Sequence, residues 1–169
     1  MANTNSIIEQ FFSETENLAA NGNLLEAEKQ LQAFIDNQDL ISARVHNDLG
    51  VISHQLERFE HVGRLYREAV RLAPENITFR KNLADFIFVI EKLPQEAMFH
   101  YNEILKRNPR DPETLLMIGN ICLALGVPEE ARVFFSLVLE IEPWNIEANS
   151  ALEMFAESKE DSSAKTDHD

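Results

Sequence analysis

A chain of 169 residues with 44% apolar content can form one ordinary domain or a short array of stacked repeats, and wholesale disorder is excluded. The formal net charge of −14 disfavours nucleic acid and anionic membranes as main partners, because both require basic patches. The single cysteine, Cys122, excludes an intrachain disulfide framework. No apolar run reaches about 18 residues, so we expect no membrane insertion and a cytoplasmic location.

The chain begins with residues 1–6, which have neither the positive charge nor the apolar run of a signal peptide. We expect these residues to form a flexible N-terminus. From residue 7 onward, apolar residues recur with helical spacing, and the pattern repeats every 34 to 35 residues up to about residue 158. A repeat of this length indicates an array rather than a single irregular domain.

Several series of residues carry this period. Pro74, Pro109 and Pro143 each follow an apolar helical pattern, at spacings of 35 and 34 residues. Two further series lie four residues apart, which is about one helical turn, so they share one helix face. Their members are Ala27, Val62, Ala97 and Ala131 in one series and Leu31, Tyr66, Tyr101 and Phe135 in the other.

A fourth series places a small residue in an earlier helix of each unit: Gly50, Ala84 and Gly119. Glycine inside a helix costs about 1 kcal/mol, which indicates that another helix approaches closely there. The turns between the patterns are short enough only for antiparallel helix pairs. The segment Phe86 to Ile90 resembles a strand locally, but its place in the period predicts helix. The sequence predicts four helix pairs, at residues 8–41, 43–76, 77–111 and 112–145. A capping helix at 145–158 and a disordered acidic tail at 159–169 are predicted to follow.

These motifs resemble the tetratricopeptide repeat family. The segments 22–27 and 126–131 match the family's Gly-x-x-x-Glu-Ala opening of the second helix, whereas Val62 replaces the small residue in one unit. The resemblance implies an all-α fold, a right-handed α-solenoid of helix-turn-helix repeats with a C-terminal capping helix. It also implies a non-catalytic adaptor whose partner is another protein or a peptide.

The expected binding groove is the concave side of the array, which the first helices of this family line. The stripe Val45, Leu49, Ile52 and Leu56 predicts the packed face of one first helix, and the opposite face is then free for a ligand. The period gives the packed face of the next two first helices as Phe79, Leu83, Phe86 and Ile90, then Thr114, Ile118, Ile121 and Leu125. That face combines amides and a cation with more apolar side chains than a solvated face requires, although some of them could simply pack on neighbouring helices. The candidate groove residues are Asn47, Val51, His54, Lys81, Asn82, Asp85, Phe88, Leu116, Met117, Asn120 and Leu123.

Part of the family clamps a partner's C-terminal carboxylate with two lysines, an arginine and two asparagines. Lys81 and Asn82 are present here, but Glu16 and Asp85 stand where neutral asparagines are expected. The resemblance therefore does not extend to that clamp.

Catalytic, metal and cofactor chemistry is not expected. His46, His54 and His61 have helical spacing without the His-x-x-x-His pair or cysteine cluster of a metal site. Cys122 is expected to be a small core residue rather than a nucleophile. The five glycines are scattered, so no phosphate-binding loop is predicted.

The predicted function is a peptide-binding or helix-binding adaptor. Two alternatives remain open: a self-associating scaffold that forms a homo-oligomer, and a recruiting unit for an enzyme such as a glycosyltransferase or methyltransferase. The acidity is uneven, since residues 112–156 contain one basic and seven acidic residues, whereas residues 43–111 are close to neutral. This distribution indicates a mixed, partly apolar ligand at the centre and acidic ends that discourage nucleic acid.

Overall fold

The computed structural model describes residues 4–36 and 42–164, and within these ranges the chain is helical with no strand. The run Phe86 to Ile90 is helical, as the repeat period predicts. The chain divides into two compact units, an N-terminal unit up to Phe86 and a C-terminal unit from Ile87. The elements in chain order are α1 (Thr4–Ala20), α2 (Leu24–Asp36), α3 (Ala43–Gln55), α4 (Phe59–Leu72), α5 (Ile77–Phe86), a π turn (Ile87–Glu91), α6 (Pro94–Leu105), α7 (Pro112–Ala124), α8 (Pro128–Ile141) and α9 (Ile146–Ala164).

The helices form consecutive pairs, and we call α1, α3, α5, α7 and α9 the first helices and α2, α4, α6 and α8 the second helices. Two helix bounds differ from the predictions. Helix α1 begins at Thr4, inside the predicted flexible segment, and α9 ends at Ala164, beyond the predicted end at residue 158. Residues 157–164 contain no proline or glycine, and extending an existing helix costs little per residue. The end of the first predicted unit, 37–41, and the last part of the predicted tail, 165–169, lie outside the described residues.

Four first helices begin with the same type of side-chain cap. The side-chain oxygen of the capping residue accepts a hydrogen bond from the backbone N–H three residues later, which satisfies an otherwise unpaired donor of the first turn. The distances from cap oxygen to amide nitrogen lie between 2.9 and 3.5 Å. The caps are Ser42, Asn76, Asp111 and Asn145, at spacings of 34, 35 and 34 residues.

The turn inside each helix pair contains one residue in the left-handed region. Gly22 and Gly126 occupy it with φ of 80° and 74°, and Glu57 and Lys92 occupy the equivalent places with φ of 58° and 59°. These residues follow one another at spacings of 35, 35 and 34. Each turn therefore reverses the chain by the same backbone device, and glycine adopts it without the steric cost that a side chain adds.

The core of the N-terminal unit lies where α3 packs against α2, α4 and α5. Val45, Leu49 and Ile52 of the predicted stripe are buried together with Leu31 of α2. Gly50 lies against the ring of Tyr66, and a Cβ atom at this glycine would be 2.6 Å from Tyr66 Cε1. The small residue of the repeat is thus required by an aromatic ring on the second helix.

The core of the C-terminal unit repeats this arrangement between α7 and α8. A Cβ atom at Gly119 would lie 2.6 Å from Phe135 Cε1, and Ile118 and Ile121 are fully buried. Helix α9 then packs on α8, with Phe155 6.5 Å from Phe135 between ring centroids. The predicted packed face is confirmed here except at its end, because Leu125 is exposed.

The π turn accommodates one extra residue in the first helix of the third pair. From cap to left-handed residue, the segment Asn76 to Lys92 is one residue longer than its equivalents in the second and fourth pairs. The Leu93 N–H accordingly donates to the Ile87 carbonyl six residues earlier, whereas the equivalent bonds of Arg58 and Val127 reach back five residues. A π turn of this kind rotates the following side chains relative to an ideal α-helix.

Candidate functional site

In the N-terminal unit, the first-helix face is a polar network centred on Arg44. Its guanidinium is paired with Glu16 of α1 and, over 3.4 Å, with Asp48 one turn later on α3. The same guanidinium lies 4.0 Å above the ring of Phe12. Burial raises the pKa of Asp48, while the hydrogen bond from Asn47 and the charge of Arg44 act in the opposite direction. The charges on this face therefore largely satisfy one another.

Asn47 requires a correction. The sequence places it in the groove, but only 5% of it is exposed. Its Nδ2 donates to Asp48 Oδ1 over 3.1 Å, and its Oδ1 accepts from Asn82 Nδ2 over 2.8 Å. The physical reason is that α3 and α5 approach closely, so these two amides bridge the helices instead of facing solvent.

The remaining candidates of the N-terminal unit are half-buried. Val51 lines a small pocket of about 150 Å³ between α1 and α3. The His54 ring contacts Phe59 and Phe86 edge-on, with centroid distances of 5.4 and 5.8 Å. Lys81 and Asp85 are each engaged in a polar or electrostatic interaction. This face thus offers few apolar side chains to a ligand.

In the C-terminal unit, the equivalent face of α7 is apolar. Helix α7 is more apolar overall and much less amphipathic than α4. Leu116 and Met117 are half-buried, and Leu123 is 42% exposed. These three residues lie opposite the packed side of α7, and we call them the α7 apolar strip.

Asn120 lies in the middle of the α7 apolar strip. Its Nδ2 donates to Glu147 Oε1 of α9 over 2.8 Å, at an exposed position. The repeat positions of this bridge are the same as those of Glu16 and Arg44 in the N-terminal unit. The amide expected to hold a peptide backbone therefore also positions a carboxylate beside the strip.

The π turn changes which residues of the third pair face the groove side. A simple shift of the α-helical pattern predicts Ile90 in the core and Phe88 on the groove face. In the structure Ile87 is fully buried, Ile90 and Phe88 are half-buried, and Val89 is exposed. The sequence contained a signal for this, since the spacing from small residue to turn is one residue longer here than in the other pairs.

Two residues of α9 belong with these candidates and were missed from the sequence. Glu147 binds Asn120, and Met154, seven residues later on the same helix face, is largely exposed. Adding one more period to Glu113 and Asn120 would have identified both positions.

A second concavity lies on another side of the N-terminal unit, between the second helices α2 and α4. Its volume is about 830 Å³. Glu28 is paired with Arg58 across it and accepts a hydrogen bond from Ser53 over 3.4 Å. Its lining mixes acids and bases, so it does not select a ligand of one charge.

The comparisons with known proteins agree with this architecture. A family model for the tetratricopeptide repeat matches residues 112–143, which contain α7 and α8. YrrB, described as a TPR protein with an unusual peptide-binding site, has a TM-score of 0.75 to this chain, with 15% identity over 85% of this chain and 73% of YrrB. Residues 112–143 thus match a tetratricopeptide repeat, and the chain shares the fold of these proteins. The predicted family and all-α repeat fold are therefore confirmed.

One further solved structure and one relative by sequence are similar to this chain. The MamA protein of Desulfovibrio magneticus RS-1, from residue 41 to its end, has a TM-score of 0.79 with 12% identity, covering 95% of this chain and 89% of that one. An uncharacterized protein of Cyanophora paradoxa, ycf37, is 30% identical over 104 residues, which is 58% of this chain. The match spans 60% of the length of ycf37.

Tetratricopeptide repeats are typical of protein–protein interaction and peptide binding, and they generally serve as non-catalytic adaptors. In the described ranges, no group of three His, Cys, Asp or Glu residues could hold a metal ion. Burial raises the pKa of the Cys122 thiol, which opposes formation of a nucleophilic thiolate. No helix in the described part of the chain is both long and apolar enough to cross a membrane.

Proposed function

We propose that this tetratricopeptide repeat protein is a non-catalytic module that binds a peptide segment or helix of a partner protein on its first helices. The observation that carries the proposal is the α7 apolar strip. The packed side of α7 is already occupied by Ile118 and Ile121, so the strip is not needed for the core of the unit. An apolar surface beside polar groups, without a role in the core, is typical of an interaction site.

The proposal assigns different roles to the candidates of the two units. Apolar anchoring belongs to the C-terminal unit, through Phe88 and the α7 apolar strip. In the N-terminal unit the half-buried groups Val51, His54, Lys81, Asn82 and Asp85 are proposed as contacts for the backbone and polar side chains of a ligand. Asn47 is not among them, because its amide is buried and already bonded.

The test uses peptides selected against the protein from a random display library. The affinity of each selected peptide is then measured for the wild type and for the double variant Phe88→Ala with Leu123→Ala. We expect affinity to fall by more than tenfold, since truncating two anchors removes over 1.4 kcal/mol of binding free energy. Circular dichroism should show unchanged helicity.

The matched control is Phe99→Ala with Val133→Ala, which removes a similar apolar area from the second helices α6 and α8. Both side chains are exposed. The control should change the affinity by less than about twofold. Equal losses in the two double variants would mean that the first-helix face is not the binding surface.

Self-association is a second candidate function, and one observation favours it. Trp144 is 76% exposed and Ile146 is 83% exposed, so two large apolar side chains near the start of α9 are open to solvent. If they form a homo-oligomer contact, sedimentation should show a dimer that Ile146→Lys abolishes. A wild-type monomer at high concentration would exclude this function.

A further inference from the structure

We infer that the ligand of the C-terminal unit is a cationic amphipathic segment of another protein, in which Lys or Arg flanks the apolar anchor residues. The inference rests on the proposed function, because it concerns the partner of the same α7 apolar strip. The apolar strip alone indicates only that the ligand has apolar anchor residues, whereas this inference also specifies that the ligand is positively charged.

Charge is the first feature of the C-terminal unit that points to a cationic ligand. Three segments carry the first-helix side chains of the C-terminal unit: the π turn, α7, and α9 up to residue 155. They contain the acids Glu91, Glu113, Glu147 and Glu153, and no Lys, Arg or His in these described stretches. The charged side chains of these first-helix segments are therefore all acidic.

The bridge between Asn120 and Glu147 is the second feature that points to a cationic ligand. A neutral amide donates to Glu147 Oε1 over 2.8 Å, so the carboxylate is held in place without losing its charge. Asn120 lies three residues from Met117 and three from Leu123, which puts the carboxylate beside the middle of the strip. A ligand cation at this point would lie close to the ligand's own apolar anchors.

The equivalent bridge of the N-terminal unit also points to a cationic ligand. There Glu16 of one first helix is paired with Arg44 of the next, and Arg44 also reaches Asp48. Glu16 corresponds to Asn120 in the repeat, and Arg44 corresponds to Glu147. The same place thus contains a cation of the chain itself in one unit and, in the other, a carboxylate that is bound by a neutral amide.

Two basic residues of the C-terminal unit already have acidic partners near the second helices. Lys106 is paired with Glu103 at the end of α6, and Arg132 is paired with Glu129 on α8 over 3.1 Å. Both pairs lie on second helices. A cation supplied by the ligand would therefore complement the charge of the first-helix face.

The experiment uses two fluorescein-labelled helical peptides of about 15 residues with identical leucine spacing. One carries Lys at the flanking positions and the other carries Glu. Fluorescence anisotropy with the full chain should show the Lys peptide binding at least about tenfold more tightly than the Glu peptide, and this ratio should shrink between about 50 and 200 mM salt.

The variant Glu147→Gln keeps an oxygen that accepts the Asn120 hydrogen bond but removes the charge. It should weaken the Lys peptide about three- to fivefold and leave the Glu peptide unchanged or slightly tighter. The matched control Glu140→Gln removes an exposed carboxylate from α8 and should leave both affinities unchanged.

The outcomes separate this inference from the proposed function. Equal binding of both peptides, lost in the Phe88→Ala, Leu123→Ala variant, would overturn the cationic partner and leave the apolar site intact. A preference for Lys that Glu147→Gln and Glu140→Gln reduce equally would overturn the role of Glu147. Binding of neither peptide would count against the proposed site itself. A concentration-dependent dimer that Leu123→Asp abolishes would assign the strip to a second copy of the chain.

Discussion

The first helices α3 and α7 share their buried side but differ on the opposite side. Both place a glycine against an aromatic ring of the following second helix, Tyr66 for α3 and Phe135 for α7. On the exposed side, α3 carries an arginine-centred network, whereas α7 carries the apolar strip. The repeat thus constrains the inward residues of each first helix and leaves the outward ones free to differ.

This difference separates stability from recognition. The charges of the α3 face have partners within the N-terminal unit, so they have little left to offer a ligand. The apolar side chains of the α7 face lie outside the core of their unit, so they gain most from a ligand that covers them. Substitutions on α3 and α7 can therefore test whether the buried sides are equivalent and whether the exposed faces differ in function.

The largest expected effect tests the shared interior. Gly50→Ala and Gly119→Ala should each lower the free energy of unfolding by about 2 kcal/mol, because the new Cβ atom would lie 2.6 Å from a ring carbon. Chemical denaturation measures the loss. Similar losses are expected in the two units, since the geometry is the same.

A double-mutant cycle controls this prediction. Combining Gly119→Ala with Phe135→Leu removes the ring that the new methyl group meets, so the double variant should be more stable than the sum of the single losses. Simple additivity would mean that the glycine is not required by the ring.

The next effect tests the difference between the two faces. Met117→Asp with Leu123→His places the residues found at the equivalent α3 positions, Asp48 and His54, on α7. Binding of a selected peptide should weaken more than tenfold, or about 1.4 kcal/mol, because the apolar anchors are lost. Unfolding should change little, since neither side chain belongs to the fully buried core. A large loss of stability with retained binding would contradict the division between interior and face.

The repeated parts of this structure were predictable from sequence, and the exceptions have local physical causes. The period located the buried aromatic and small residues because packing constrains them in every repeat. It misplaced Asn47, since α3 and α5 approach closely and the amides of Asn47 and Asn82 bridge them, a pairing that no period encodes. It also missed Ile87 in the core, because the π turn shifts the helical phase by one residue.

A smaller effect concerns one core position that differs between the units. Val45 and Thr114 are equivalent and fully buried, but the Thr114 hydroxyl has no hydrogen-bond partner. Thr114→Val should raise the free energy of unfolding by about 1 kcal/mol, because an unsatisfied buried polar atom is removed without a change of shape. Thermal unfolding measures this. The reverse change, Val45→Thr, should be destabilising, and stabilisation by both would contradict the explanation.

The turns give a still smaller effect. Glu57→Gly and Lys92→Gly should each stabilise the chain by about 0.5 kcal/mol, since the left-handed conformation costs a side chain more than the extra freedom of glycine when unfolded. Gly126→Ala is the opposite control and should destabilise. If Glu57→Gly and Lys92→Gly both lose stability, the contacts of the Glu57 and Lys92 side chains stabilise the fold by more than the left-handed backbone costs.

The smallest effect tests whether the network on α3 stabilises the N-terminal unit. Burial raises the pKa of Asp48 above its ordinary value of 3.8, so the folded chain binds this proton more tightly than the unfolded chain does. The ionised carboxylate therefore destabilises the fold at neutral pH, and this cost disappears as the pH falls through the raised pKa towards 3.8. Asp48→Asn should accordingly be more stable than the wild type at pH 7 by less than about 1 kcal/mol, and the difference should vanish in acid.

Glu140→Gln, which removes an exposed carboxylate of α8, is the matched control at pH 7 and should change the free energy of unfolding by less than about 0.5 kcal/mol. If Asp48→Asn is instead less stable than the wild type at pH 7, the pairing of Asp48 with Arg44 outweighs the cost of burial. The polar face would then contribute to stability. If Asp48→Asn is more stable, as expected, the half-buried Asp48 carboxylate lowers the free energy of unfolding slightly. Met117, at the equivalent position on α7, has no charge and therefore no such cost.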